Sequence, residues 1–178
     1  EDILNGYVIM DALSDYEFFK MGIVDLPIPC NDHISHFIEN NVPNLWTYYC
    51  CSQNRHVSNR FFGSPGARTR YIGVQFYRYK ISGFLQWGYN FYYHQGSHDL
   101  INPYIDSTGN YFVPSGDTYS VYPATDGSAL ESVRILHFRE GLDDMRALYL
   151  AESLVGRDKV LETIEPIVKE MTGENIVF

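Results

Sequence analysis

The sequence is poor in cysteine, in clustered positive charge and in long apolar runs, and each shortage removes a class of protein. Only Cys30, Cys50 and Cys51 occur. An odd number with two adjacent does not make a disulfide framework, and no pair has the CxxC-like spacing of a zinc site. The three are expected as small buried thiols in a reducing, cytoplasmic compartment, with no metal and no cofactor. No block of Lys or Arg is present and the net charge is −9. Nucleic acid is therefore not expected as a partner, because phosphate binding needs a basic face. No apolar run reaches the roughly 18 residues of a membrane-spanning helix, so no membrane partner is expected either. No signal peptide is visible, but residue 1 is Glu rather than Met, so that absence carries no weight.

What is present is an ordinary globular composition with an excess of rings. The 178 residues are 45% hydrophobic and 20% charged, enough for one domain with a core. Aromatics reach 16%, with 15 Tyr and 11 Phe. Tyrosine and tryptophan combine an apolar face with a polar tip, which suits surfaces that hold sugars. The densest stretch is GFLQWGYNFYY at 83–93. A continuous apolar run is how a strand buried on both faces reads, and Gln86 and Asn90 interrupt it with the same parity.

The elements alternate. Ser14 with Glu17 is a capping-box pattern before a helix over about 15–21. A strand is expected over 23–29, and then a helix over about 32–40, with Asn31 as cap and Ile34, Phe37 and Ile38 inward. A strand follows over 44–51. Ser64-Pro65 opens a helix with Ala67, Tyr71, Val74 and Tyr77 or Arg78 as its inner stripe, ended by Gly83. The next strand spans 84–93, then come a polar loop over 94–118 and a short extended segment at 119–123. A second capping box, Ser128 to Glu131, precedes a helix with Ile135, Phe138, Leu142, Met145, Leu148 and Tyr149 on one side, stopped at Gly156. The last helix, from about 158, carries Val160, Leu161, Ile164, Ile167, Val168 and Met171 inward and must be kinked or interrupted by Pro166. Arg139 and Asp143 are spaced as an i, i+4 pair; with Arg134, Glu140 and Asp144 they are read as helix-surface and helix-to-loop ion pairs, and Arg68 and Arg70 as structural, one of them within reach of a loop. Strands alternating with helices predict an α/β architecture of parallel strands and crossover helices.

The loops are asymmetric. Helix-to-strand connections are short, whereas about a dozen residues follow Cys51 and about 25 follow Tyr93. Long loops in a compact domain are usually functional, and both leave the carboxyl ends of expected parallel strands, where α/β folds build their sites. Asn90, Trp87, Tyr89 and Tyr92 lie at such an end. They supply the two halves of sugar recognition: a flat apolar wall for C–H faces, and amides or hydroxyls for OH groups. Asp32 and His33 follow the first strand and are read as a helix cap and its neighbour, and His94 and His98 as loop histidines in solvent.

NLWTYYCC, then SPGARTRYIGVQFYRYKISGFLQWGYNFY, then GDTYSVYPATDGSALESVRILHFREGLDDMRALYL resemble, in order and spacing, the C-terminal part of family-123-like glycoside hydrolases over about 44–150. The resemblance implies a (β/α)₈ barrel and cleavage of N-acetyl-β-hexosaminides, typically galactosaminides. It also implies a substrate-assisted retaining mechanism: the sugar's acetamido oxygen attacks the anomeric carbon, an Asp orients it, and a neighbouring Glu is the acid/base. That adjacent Asp-Glu pair is expected upstream, because no Asp-Glu dipeptide occurs in this sequence and Glu1-Asp2 is reversed. No catalytic residue is therefore assigned within the chain. Trp46, Tyr48, Trp87, Tyr89, Asn90, Asp117 and Tyr122 are the expected carbohydrate-binding residues. A complete barrel needs about 250 residues. Residues 1–178 are accordingly read as one domain, the C-terminal part of an incomplete barrel with about four parallel strands. Its expected partner is the missing N-terminal half of the barrel or a second copy. The competing readings are a non-catalytic carbohydrate-binding module and an unrelated structural α/β domain.

Overall fold

Parallel pairing in chain order organises the computed structural model, which describes the backbone of residues 5–172. Glu1-Asp2 and the side chains of Ile167 and Met171 lie outside the described residues. The first strand, β1 (Met10–Asp11), pairs parallel with β2 (Leu26–Pro27). Helix α1 (Tyr16–Lys20) crosses between them. The chain of β2 continues to Cys30, which bridges Tyr48 in parallel. Tyr48 belongs to β3 (Trp46–Tyr48), reached through α2 (Ser35–Glu39). Two helices, α3 (Gly66–Arg70) and α4 (Ile72–Tyr79), then lead to β4 (Gly83–Leu85). In β4, residues 83, 84 and 85 lie opposite 46, 47 and 48 in parallel register.

Side-chain alternation along these strands separates two faces. Leu45, Tyr49 and Phe84 pack with Ile34, Phe37, Ile72, Phe76 and Ile81 into one core, against which Phe138, Leu142 and Met145 also lie. Fully burying such a side chain stabilises the fold by about 1.5–3 kcal/mol. Trp46, Tyr48 and Leu85 share the opposite parity and are only half-buried. Helices therefore cover one face of the β3–β4 pair and leave the other open.

Beyond β4 the pattern changes. Residues 121–123 form β5 (Val121–Pro123), which pairs antiparallel with β6 (Ala129–Glu131) in a hairpin. This corrects the expected fourth parallel strand at 119–123; the fourth parallel segment is β1. It also corrects the capping box at Ser128–Glu131, whose last three residues are strand. The helix that follows, α5 (Val133–Val155), is capped instead by Ser132, whose Oγ accepts from Ile135 N. Gly156 caps its end as expected, and α6 (Arg157–Thr172) runs on through Pro166 without interruption. Val160 and Val168 are buried on α6 as expected. The described residues make a mixed α/β structure of short strands and helices with no closed barrel.

Other boundaries shifted for identifiable reasons. Asp15, not Ser14, caps α1, accepting from Glu17 N. Asn31 is fully buried and donates from its side chain to the Ser58 carbonyl, rather than capping α2. On α4 the buried stripe is Ile72, Gly73, Gln75, Phe76 and Tyr77. Lys80, in the left-handed region, ends it. Gly73 of α4 faces Gly141 of α5 so closely that a Cβ at 73 would overlap the Gly141 carbonyl.

The expected strand over 84–93 is cut to β4. Gly88, at φ +59°, turns the chain, and the Asp117 and Thr118 carbonyls lie where its Cβ would be. Residues 89–91 then pair antiparallel with 118–120. None of residues 83–93 is fully buried, so the aromatic run does not mark a strand covered on both faces.

Candidate functional site

Two polar constellations stand at the carboxyl ends of the parallel strands. The first fastens the loop after β4. Arg60 lies in the connection from β3 to α3 and is 2% exposed. Its Nη2 donates to the Trp87 carbonyl at 2.9 Å and also to the Asp117 carbonyl. The same nitrogen is 3.5 Å from the Asp117 carboxylate, an ionic contact without hydrogen-bond geometry. Asp117 is fully buried, and its other carboxylate oxygen accepts from the Trp87 indole N–H at 3.2 Å. Burial pushes the Asp117 carboxyl above its usual range, and Arg60, the indole and Arg134 pull it back only in part. The Arg60 guanidinium also lies over the Tyr49 ring, 5.1 Å from its centroid.

Arg134, expected in a helix-surface or helix-to-loop ion pair, is buried at the start of α5 and reaches a loop carbonyl rather than a carboxylate. Its Nη1 donates to the Gly116 carbonyl, and its guanidinium stacks on Phe62 at 4.5 Å and Tyr119 at 5.8 Å. Burial lowers its pKa. Among the neighbouring charges, Asp143 pairs differently from expectation, whereas Arg70 and Asp144 form a structural ion pair. Asp143 meets Arg146 at 2.6 Å rather than Arg139, and Arg70 takes Asp144 through Nε at 2.6 Å and Nη2 at 2.8 Å.

The second constellation follows β2 and β3. The chain after Cys30 makes a β-turn in which His33 N donates to the Cys30 carbonyl at 2.9 Å, folding both side chains to one side. Cys30 Sγ is 3.3 Å from His33 Nδ1, and His33 Nδ1 is 2.8 Å from Asp32 Oδ1. Gln53, in the loop after β3, donates from Nε2 to that same Asp32 oxygen at 2.9 Å. Ser14 Oγ lies 2.9 Å from the Cys30 sulfur and accepts from its backbone N–H. Burial pushes the Cys30 thiol up to about 11 and the Tyr48 phenol up to about 12. Burial also raises Asp32, but the hydrogen bonds from His33, Cys30 and Gln53 outweigh it and leave the carboxyl below its usual range. Cys30 is buried as expected, whereas Cys50 and Cys51 are half-buried; all three are free.

The expected binding residues do not form one cluster. Trp87 and Asp117 meet directly, and the half-buried Trp87 ring is set between Phe91 at 5.9 Å and Phe112 at 6.4 Å. Asn90 is exposed and its backbone bridges Tyr119, while Tyr89 is 46% exposed and edges a separate groove with Phe84, Gln86 and Phe138. Tyr122 stands in an aromatic cluster with Tyr104 and Tyr119, each at 5.3 Å, and borders a cavity of about 490 Å³. Trp46 and Tyr48 lie on the open sheet face, with the Trp46 ring packed over Gly83. Arg60, Gln53 and Cys30 were not among the expected site residues. Arg60 and Gln53 sit in the polar stretch SQNRHVSNRFFG, where nothing in the one-dimensional pattern separates a buried arginine from a solvated one.

The arrangement offers a rigid, half-exposed indole held by a buried carboxylate, beside an open sheet face lined by further rings. Compared with known families, residues 1–151 match the model of the glycoside hydrolase 123 catalytic domain, a span that ends inside α5. No curated protein matches the chain.

Proposed function

The chain belongs to the glycoside hydrolase 123 catalytic-domain family, and from that premise we propose that it forms the sugar-binding part of a site that cleaves N-acetyl-β-hexosaminides, galactosaminides foremost. The observation that carries the reading is the fixed indole of Trp87 at the end of β4, its N–H turned to Asp117 and its ring half-exposed. A rigid ring face takes the C–H face of a pyranose at little entropic cost, and Asn90, three residues on, supplies donors and acceptors for hydroxyls.

The reaction in this reading is substrate-assisted and retaining. The acetamido oxygen closes on the anomeric carbon, an Asp orients it, and the adjacent Glu passes the proton to the leaving oxygen. No Asp-Glu dipeptide occurs in the sequence, so this chain supplies binding and not the carboxylate pair. A half-barrel arrangement is part of the same proposal. It is supported by the parallel order of β1 to β4 and by the uncovered face bearing Trp46, Tyr48 and Leu85. Tyr7 and Val8, just ahead of β1, and Met10 in it are 74, 77 and 44% exposed, which suits an edge that another barrel segment or a second copy covers. The three free thiols agree with a reducing, cytoplasmic location. No specific observation favours a non-catalytic module or an unrelated domain.

The test is binding and turnover in the chain as it stands. N-acetylgalactosamine, titrated against tryptophan fluorescence, should bind with a Kd of about 1 mM, near −4 kcal/mol, and Trp87→Ala and Asn90→Ala should each abolish the response. Aryl N-acetyl-β-galactosaminide should not be hydrolysed. Turnover that survives Asn90→Ala, or sugar binding indifferent to both substitutions, overturns the proposal.

A further inference from the structure

We propose that Cys30, Asp32 and His33 form a binding site for a single borderline divalent metal ion, Zn²⁺ or Co²⁺, with one coordination position open to solvent. The proposal is independent of the glycosidase reading. The three donor atoms, one thiol sulfur, one carboxylate oxygen and one imidazole nitrogen, all lie within 4.8 Å of one another. That is the mixed S, N, O donor set that such ions take.

Metal–ligand distances of about 2.3 Å to sulfur and about 2.0–2.2 Å to nitrogen and oxygen place tetrahedral ligands roughly 3.4–3.6 Å apart. The Cys30 Sγ to His33 Nδ1 separation is already 3.3 Å. The Asp32 Oδ1 to His33 Nδ1 separation is 2.8 Å, a hydrogen-bond length that opens when an ion replaces the shared proton. The β-turn from Cys30 to His33 fixes two of the ligands on one side of the chain. Supporting groups are also in place: Gln53 Nε2 holds Asp32 at 2.9 Å, and Ser14 Oγ lies 2.9 Å from the Cys30 sulfur. Such outer contacts orient metal ligands. His33 borders an open cleft of about 460 Å³, with Ser14, Asp15, Tyr16, Glu17 and His36, which gives an ion access from solvent. On loading, the thiol loses its proton to solvent and binds as the thiolate, while the neutral imidazole offers the Nδ1 lone pair with its single proton on Nε2.

The experiment is a Co²⁺ titration of the metal-free, reduced full chain, followed by absorbance, with circular dichroism on every variant to verify folding. One equivalent should produce a thiolate-to-cobalt charge-transfer band together with visible bands of tetrahedral intensity, and Zn²⁺ should displace them. Cys30→Ser should remove the charge-transfer band. His33→Ala alters an exposed side chain, so the fold should survive, and binding should weaken more than the roughly 10–100-fold expected for Gln53→Ala, which removes only a supporting group. The double variant Cys50→Ser, Cys51→Ser should bind as the parent does. No charge-transfer band in the parent chain, a band that survives Cys30→Ser, or a band lost only with Cys50 and Cys51 overturns the proposal.

Discussion

Replacing Arg60 with Met asks how much of the architecture hangs on one buried cation. Its Nη2 joins the backbone at Trp87 and Asp117, positions 27 and 57 residues further along the chain, and so ties both ends of the loop after β4 to the loop after β3. Hydrogen bonds from a charged donor contribute about 1.5–3 kcal/mol each, so the two lost bonds amount to about 3–6 kcal/mol. Methionine fills much of the space but leaves two carbonyls and the Asp117 carboxyl buried without their partner. Opposing this, Nε and Nη1 of Arg60 have no hydrogen-bond partner, so removing the cation relieves part of a desolvation cost. Breaking a buried pair by deleting one member generally costs about 3–5 kcal/mol, and we adopt that range as the net loss. For a chain of this size it corresponds to a fall in Tm of about 6–20 °C.

The assay is thermal and urea unfolding followed by tryptophan fluorescence, since the chain has only two tryptophans and one of them is Trp87. Asp117→Asn keeps an oxygen for the indole N–H and removes only the charge, so it should cost less, about 1–3 kcal/mol. The double variant should be less destabilised than the sum of the singles by about 1 kcal/mol or more, because each single strands the other group. A loss below about 1 kcal/mol for Arg60→Met, or additivity within about 0.5 kcal/mol, refutes the claim that this contact anchors the loop.

Three further outcomes are expected. Gly73→Ala gains about 1 kcal/mol of helix propensity but drives a methyl into the Gly141 carbonyl, and overpacking of about 1–3 kcal/mol or more should win, lowering the urea midpoint. Asp144→Asn breaks a pair whose side chains are 33 and 47% exposed, so it should change stability by less than about 1 kcal/mol by chemical denaturation. The two aspartates should also differ in pH dependence. With its folded pKa raised, the contribution of Asp117 is complete below the unfolded carboxylate value and fades as pH rises through the folded one. With its pKa held low by Arg70, the contribution of Asp144 is present above the unfolded value and fades as pH falls through the folded one. Urea midpoints across the acid range should show the two Asn variants changing the slope in opposite senses.

Strand direction was legible because it needs only the order of elements and the lengths between them. A strand, a helix and a second strand joined by short returns can close only as a parallel pair, and Trp46–Tyr48 against Gly83–Leu85 does so. The residues around Gly88 could not be read in the same way. A run of rings from Phe84 to Tyr93 has the composition of a covered strand, yet one glycine at positive φ, backed by the Asp117 and Thr118 carbonyls, sends the chain into an antiparallel loop. Composition reports what a segment can bury, whereas the turn depends on a contact some 30 residues away.

The strand-end groups divide along the same line. Trp87 and Asn90 could be named because their position after a strand, and their chemistry, are both local. Asp117 could be named only from the resembling segment, and Arg60 not at all, since its role exists only once the two loops meet. Cys30, Asp32 and His33 were close in sequence and still escaped as a set. A search for paired cysteines passes over C-N-D-H, and only the β-turn that closes Cys30 onto His33 makes their spacing meaningful. The local turn brings together one group of strand-end side chains. The other group depends on a buried arginine, and it is therefore the group that a single substitution should take apart.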